Sequence, residues 1–90
     1  MIHIRPATLP DLDSLVELLR LLFAIEADFD FEPQRQRRGL ALLLVDPERA
    51  SIMVAETEGK IVGMCSGQVL ISTAEGGPAL VVEDVVVQEA

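Results

Sequence analysis

Cationic residues are scarce in this chain: seven lysines and arginines stand against fifteen aspartates and glutamates, for a net charge of −8. That deficit excludes nucleic acid as a partner, because binding to a phosphate backbone is driven by lysine and arginine neutralising phosphates. A cationic or amine ligand suits the charge better. Cysteine occurs once, at Cys65, so no disulfide forms within the chain, and a reducing, cytoplasmic setting is expected. The single histidine, His3, has no cysteine or histidine beside it, so no metal site is expected. The longest uninterrupted apolar run is Leu40 to Val45, far below the roughly 18 residues that suggest a membrane span. Met1-Ile2-His3-Ile4-Arg5-Pro6 also lacks the charged, apolar and small-residue regions of a signal peptide.

What is present is a chain of 90 residues, half of them hydrophobic, enough for one domain or part of one. Ile2 and Ile4 alternate with His3 and Arg5 until Pro6, which predicts a short strand. Thr8, followed three residues later by Asp11, has the pattern of a capping box. After it Leu12, Leu15, Val16, Leu19, Leu22 and Phe23 recur at helical spacing to about Glu26. A connector then alternates Phe29 and Phe31 with Asp28, Asp30 and Glu32. Pro33 opens a second helix that runs to Val45 and stops at Asp46-Pro47. Gly39 inside it costs about 1 kcal/mol relative to alanine, which leaves room for a break or kink there. Ser51–Thr57 and Ile61–Ile71 flank Glu58-Gly59-Lys60 as a β-hairpin. Gly63 and Gly67 within its second strand call for a bulge or a close backbone approach. A loop through Gly76-Gly77-Pro78 leads to a last strand, Ala79 to Gln88.

The order is β-α-α-β-β-β, an α+β arrangement with no repeat or linker, treated as one domain over residues 1–90. Three stretches in it carry a resemblance. Ile4-Arg5-Pro6-Ala7-Thr8-Leu9-Pro10-Asp11-Leu12, Val54-Ala55-Glu56-Thr57-Glu58-Gly59-Lys60-Ile61-Val62-Gly63 and Glu83-Asp84-Val85-Val86-Val87 resemble, in order, the opening, the β-hairpin and the fourth strand of the GNAT superfamily of acyl-CoA-dependent N-acetyltransferases. The resemblance implies the N-terminal part of that fold, with two helices and a mixed, mainly antiparallel sheet. It also implies acetyl transfer from acetyl-CoA to a small-molecule or peptide amine. The family's Arg/Gln-x-x-Gly-x-Gly/Ala loop, whose backbone N–H groups hold the cofactor pyrophosphate at a helix N-terminus, is not among the 90 residues. The chain is therefore expected to be a truncated, inactive portion of such an enzyme.

Candidate roles follow for particular residues. An alkyl amine is mostly protonated at neutral pH, with a pKa near ~10.4, so a base must remove its proton, and Glu83 and Asp84 are the candidates. Adjacent strand residues point to opposite faces, so at most one of the two is expected to face an acceptor. Glu83 would share its face with Val85 and Val87, and Asp84 with Val82 and Val86. An edge-protecting role for both acids is the competing interpretation. The resemblance implies that the backbone of Val85, Val86 and Val87 binds the pantetheine arm of acetyl-CoA and polarises its thioester. It also implies that Phe23, Glu26, Phe29 and Phe31 form an acceptor-binding lip. Arg35, Arg37 and Arg38 read as a solvated helix face, and Cys65 as a buried structural cysteine. A second function class is also open: a non-catalytic module that forms a homodimer through its exposed last strand.

Overall fold

The hairpin lies at the centre of the sheet. In a computed structural model describing residues 1–26 and 30–88, β2 (Ala50–Thr57) turns directly into β3 (Lys60–Ser72). Glu58 and Gly59 form the turn with φ of 51° and 76°. Two successive left-handed residues match the right-handed twist of the strands they join. β1 (His3–Pro6) pairs with the outer side of β2, and β4 (Gly77–Val87) with the outer side of β3. The strand order is β1-β2-β3-β4 and all three pairings are antiparallel. The expected order of two helices and a mainly antiparallel sheet is the one found, with no parallel pair among the described residues.

A short 3-10 turn at Leu9–Asp11 leads into α1 (Leu12–Ile25), and α2 (Pro33–Leu44) follows. Both helices lie on one face of the sheet. Leu15, Leu18 and Leu19 of α1, Leu40 of α2, Ile52 and Val54 of β2, Met64 of β3 and Val86 of β4 form the buried core. The helical spacing identified Leu15 and Leu19, while Leu18 joins them because the apolar stripe of α1 is wider than its strict repeat. α2 runs unbroken through Gly39.

The other face of the sheet is open. Ile4, Val82, Val85 and Val87 point there with more than half of their surface exposed, 59%, 53%, 59% and 70% respectively. Cys65 lies on the same side and is exposed, which corrects the expectation of a buried structural cysteine. Its strand position alternates with the buried Met64 and Ser66, so it takes the uncovered face.

One polar cluster ties the chain's first strand to both layers. The Arg5 guanidinium donates to both oxygens of the Asp11 carboxylate at 2.8 and 2.9 Å and reaches Glu56 of β2 at 3.3 Å. Asp11 also accepts from the Thr8 backbone N–H at 2.8 Å, so the Thr8–Asp11 pairing found in the sequence is made. These donors, Arg5 above all, hold the buried Asp11 carboxyl at about 2, below its ordinary 3.8, against the opposing effect of burial. A depressed pKa stabilises the fold above the unfolded value, and that stabilisation is lost as pH falls from about 4 toward 2. Asp11→Asn is expected to cost about 1–3 kcal/mol at neutral pH and to flatten the stability loss across that acid window. Urea denaturation of both proteins as a function of pH measures it.

Candidate functional site

β4 does not run straight past β3. Ser66 pairs with Asp84 but Gly67 pairs with Val82, so Glu83 is an extra residue bulged out of the ladder. A bulge breaks strict alternation. Asp84 and Val86 face the helices, as Ser66 and Met64 opposite them do, and below the bulge Val81 faces them opposite Gln68. Glu83 lies between and turns to the same side, where its carboxylate accepts from the Gln68 side-chain amide at 2.9 Å. Asp84 accepts from the Ser66 hydroxyl at 3.0 Å, and Ser66 is 1% exposed. The expectation that only one of the two acids faces the acceptor side is therefore corrected. So is the expected sharing of a face by Glu83, Val85 and Val87.

Both carboxylates reach a cleft of about 330 Å³. Its walls are Leu19 and Phe23 of α1 and Leu40, Leu42 and Leu43 of α2; Gly39 lines it without a side chain, and Arg35 and Gln36 lie at the first turns of α2. Two carboxylates on an apolar cleft can balance the charge of a bound cation. Arg35, the guanidinium in the lining, is paired with Glu32 at 2.9 Å. Arg37 bridges to Asp13 of α1 at 2.5 Å and so joins the two helices. Arg35, Arg37 and Arg38 are all exposed, and the two pairs give part of this basic run a structural use as well.

Of the predicted acceptor lip, Phe23 lines the cleft and Phe31 packs edge-on against its ring, with centroids 6.3 Å apart. Glu26 is exposed at the end of α1 and is not part of the lining. Phe29 lies outside the described residues. Val86 is core, whereas Val85 and Val87 project onto the open face beside Ile4, Met53 and Cys65. The Gln88 N–H donates to the Val62 carbonyl at 2.7 Å. By alternation the peptide groups of Val86 turn inward to β3, while those of Val85 and Val87 turn to the outer edge of β4. No strand among the described residues pairs with that edge. Its outward peptide groups are not bonded to another strand among the described residues, and the 90 residues hold no glycine-rich motif for a pyrophosphate. Among the described residues no group of His, Cys, Asp and Glu side chains is placed to hold a metal, and no helix is long and apolar enough to cross a membrane.

Sequence reasoning missed Ser66 and Gln68. The available signal was their period-2 relation to the core residue Met64, which puts all three on one face. Gly67 marked the bulge, but not which strand would carry the extra residue.

No protein-family model and no curated protein matches the sequence. Solved structures do match the fold. A possible acetyltransferase from Clostridium difficile 630 superposes with a TM-score of 0.85 at 22% identity, over 99% of this chain and 59% of its own. A protein of Clostridium acetobutylicum described as a predicted acetyltransferase, solved with acetyl-CoA, gives 0.80 at 15% identity, over 98% and 60%. Glucosamine-6-phosphate N-acetyltransferase from Arabidopsis thaliana gives 0.73 at 24% identity, over 98% and 60%. The chain thus has the fold of the N-terminal half of GNAT acetyltransferases and spans about three-fifths of the length of these structures.

The two anchoring donors differ in burial, and their removal should differ accordingly. Ser66→Ala is expected to cost about 1–2 kcal/mol, because it removes a buried hydroxyl and its part-buried charge-assisted hydrogen bond to Asp84. Gln68→Ala, at an exposed site, should stay within about 0.5 kcal/mol of the wild type. Urea midpoints of the two variants provide the comparison.

Proposed function

We propose that this chain provides the acceptor side and the base of an acetyl-CoA-dependent N-acetyltransferase. The observation that carries this reading is the bulge, which sets Glu83 and Asp84 together on the cleft side of β4 while the outer edge of the same strand keeps the peptide groups of Val85 and Val87 free. An ammonium group entering the cleft would lie against the two carboxylates, and one of them would accept its proton. The freed nitrogen lone pair then attacks the thioester carbonyl supplied by acetyl-CoA, the C–N bond forms as the C–S bond breaks, and the departing thiolate takes up the second proton lost by the nitrogen. The edge N–H groups of β4 would hold the pantetheine arm and polarise that carbonyl. Glu83 and Asp84 are held by neutral donors, Gln68 and Ser66, which leaves their charge available to an ammonium group.

The acceptor is a small-molecule or peptide amine, in keeping with the net charge of −8 and with a structural neighbour that is a glucosamine-6-phosphate N-acetyltransferase. Its setting is the cytoplasm, where Cys65 stays a thiol. Lacking the pyrophosphate motif, the 90 residues by themselves bind acetyl-CoA weakly and do not turn over. Titrating the ¹⁵N-labelled chain with acetyl-CoA tests both statements by NMR. Shifts confined to the amides of Val85, Val87 and their neighbours, saturating only in the millimolar range, are expected. No response along β4 would sink the transferase reading, and micromolar binding would contradict the weak affinity assigned to this chain.

A second reading is favoured by the eleven-residue β4, whose outer edge and open face are both uncovered. Two chains pairing β4 against β4 would extend the sheet across a two-fold axis and cover the free backbone groups. Light scattering behind a sizing column should then report twice the monomer mass at tens of micromolar. A clean monomer there would remove this reading.

A further inference from the structure

Gly39 has no structural reason to be glycine. It lies inside α2, where glycine costs helix stability relative to alanine. Its φ is not positive, α2 does not break there, and an added Cβ would meet no atom within 4 Å. Most other glycines of the chain do have such reasons; Gly77, at the start of β4, does not. Gly59 and Gly76 take φ of 76° and 73°, and a Cβ at Gly63 would press on the Val86 carbonyl at 3.3 Å. What Gly39 does do is line the cleft that Glu83 and Asp84 enter, between Leu40 and Leu43 of its own helix and Leu19 and Phe23 of α1. The missing side chain is therefore space within the cleft.

We propose that Gly39 sets the size of the acceptor, and that the cleft takes a primary amine on a short apolar body of about one ring. This rests on the acceptor-site reading above and extends it to a substrate class. The volume of about 330 Å³ is at the small end of ligand sites, which run from about 300 to 1,000 Å³. The leucine and phenylalanine side chains of the lining give the body of a ligand dispersion contact but no hydrogen bond, while Arg35, Gln36 and Gln68 add polar groups to the same cleft. Both carboxylates come from β4, so the cationic group is fixed at the sheet and the apolar body points toward α2 and Gly39. A larger residue at 39 shortens the space for that body and leaves the cation's position unchanged.

The probe is benzylamine, with benzyl alcohol as its uncharged counterpart and methylamine as its truncated one. Benzylamine added to the 90-residue chain without acetyl-CoA should shift the amides of Leu19, Gly39, Gln68, Glu83 and Asp84, and benzyl alcohol should bind about tenfold more weakly or worse. Gly39→Leu should keep the fold and lose at least about tenfold in benzylamine affinity, with the weak methylamine response retained. If Gly39→Leu does not fold, Gly39→Ala, which fits without contact, carries the same test: weaker benzylamine, unchanged methylamine. Equal affinity of wild type and variant for benzylamine would overturn the proposal, as would equal binding of the alcohol or no response at these amides. Benzylamine binding in the cleft without any acetyl-CoA response along β4 would support the site while removing the transferase reading. The reverse pattern would remove the acceptor class alone.

Discussion

The pairing of β4 with β3 slips by one residue between Asp84 and Val82, and the direction of every side chain on the outer half of the sheet follows from that slip. In an unbroken ladder one of two adjacent acids would turn to the helix side and the other to the open side. The extra residue places both beneath α1 and α2. Their partners, Ser66 and Gln68, are two residues apart on β3 and so share a face by ordinary alternation. β3, regular between Ser66 and Gln68 although it carries its own extra residue at Val62 against β2, thus supplies two donors in line, and the bulged β4 supplies two acceptors to match.

The slip also sorts polarity between the two faces of the sheet. Charge on β4 goes to the cleft, and the open face of the strand carries Pro78, Leu80, Val82, Val85 and Val87. Both the helix-covered core and the open face are therefore apolar, and the two acids mark the boundary of the core toward the edge of the sheet. This division is what allows one strand to serve two purposes in the proposed chemistry. Its side chains meet the amine on one side, and its outward peptide groups meet the thioester chain at the edge.

Much of the fold was legible because periodicity and turn chemistry agreed. The apolar repeat of α1, the Glu58-Gly59 turn and the Asp46-Pro47 stop each correspond to a feature of the structure. The resemblance to the GNAT opening half added the mainly antiparallel character of the sheet. The site was less legible. Alternation predicts side-chain direction only where pairing is regular, and Glu83 and Asp84 sit where it is not. Gly67 signalled an irregularity within β3, yet the unpaired residue belongs to β4, which a single strand's sequence does not disclose. The anchoring of Asp11 by Arg5 was hidden for a related reason, since it joins a strand residue to the end of a 3-10 turn and neither repeat pattern spans both. Cys65 was misjudged because burial was read from residue type, while its strand position on the uncovered face decides its exposure.

The central claim is the register of one pairing, and cross-strand nuclear Overhauser effects in the labelled chain read it directly. The account predicts contacts that place Gly67 opposite Val82 and Gln68 opposite Val81, with Glu83 left without a partner on β3. Contacts placing Gly67 opposite Glu83 and Gln68 opposite Val82 would describe a straight ladder. They would return one carboxylate to the open face and remove the paired acids on which the proposed site depends.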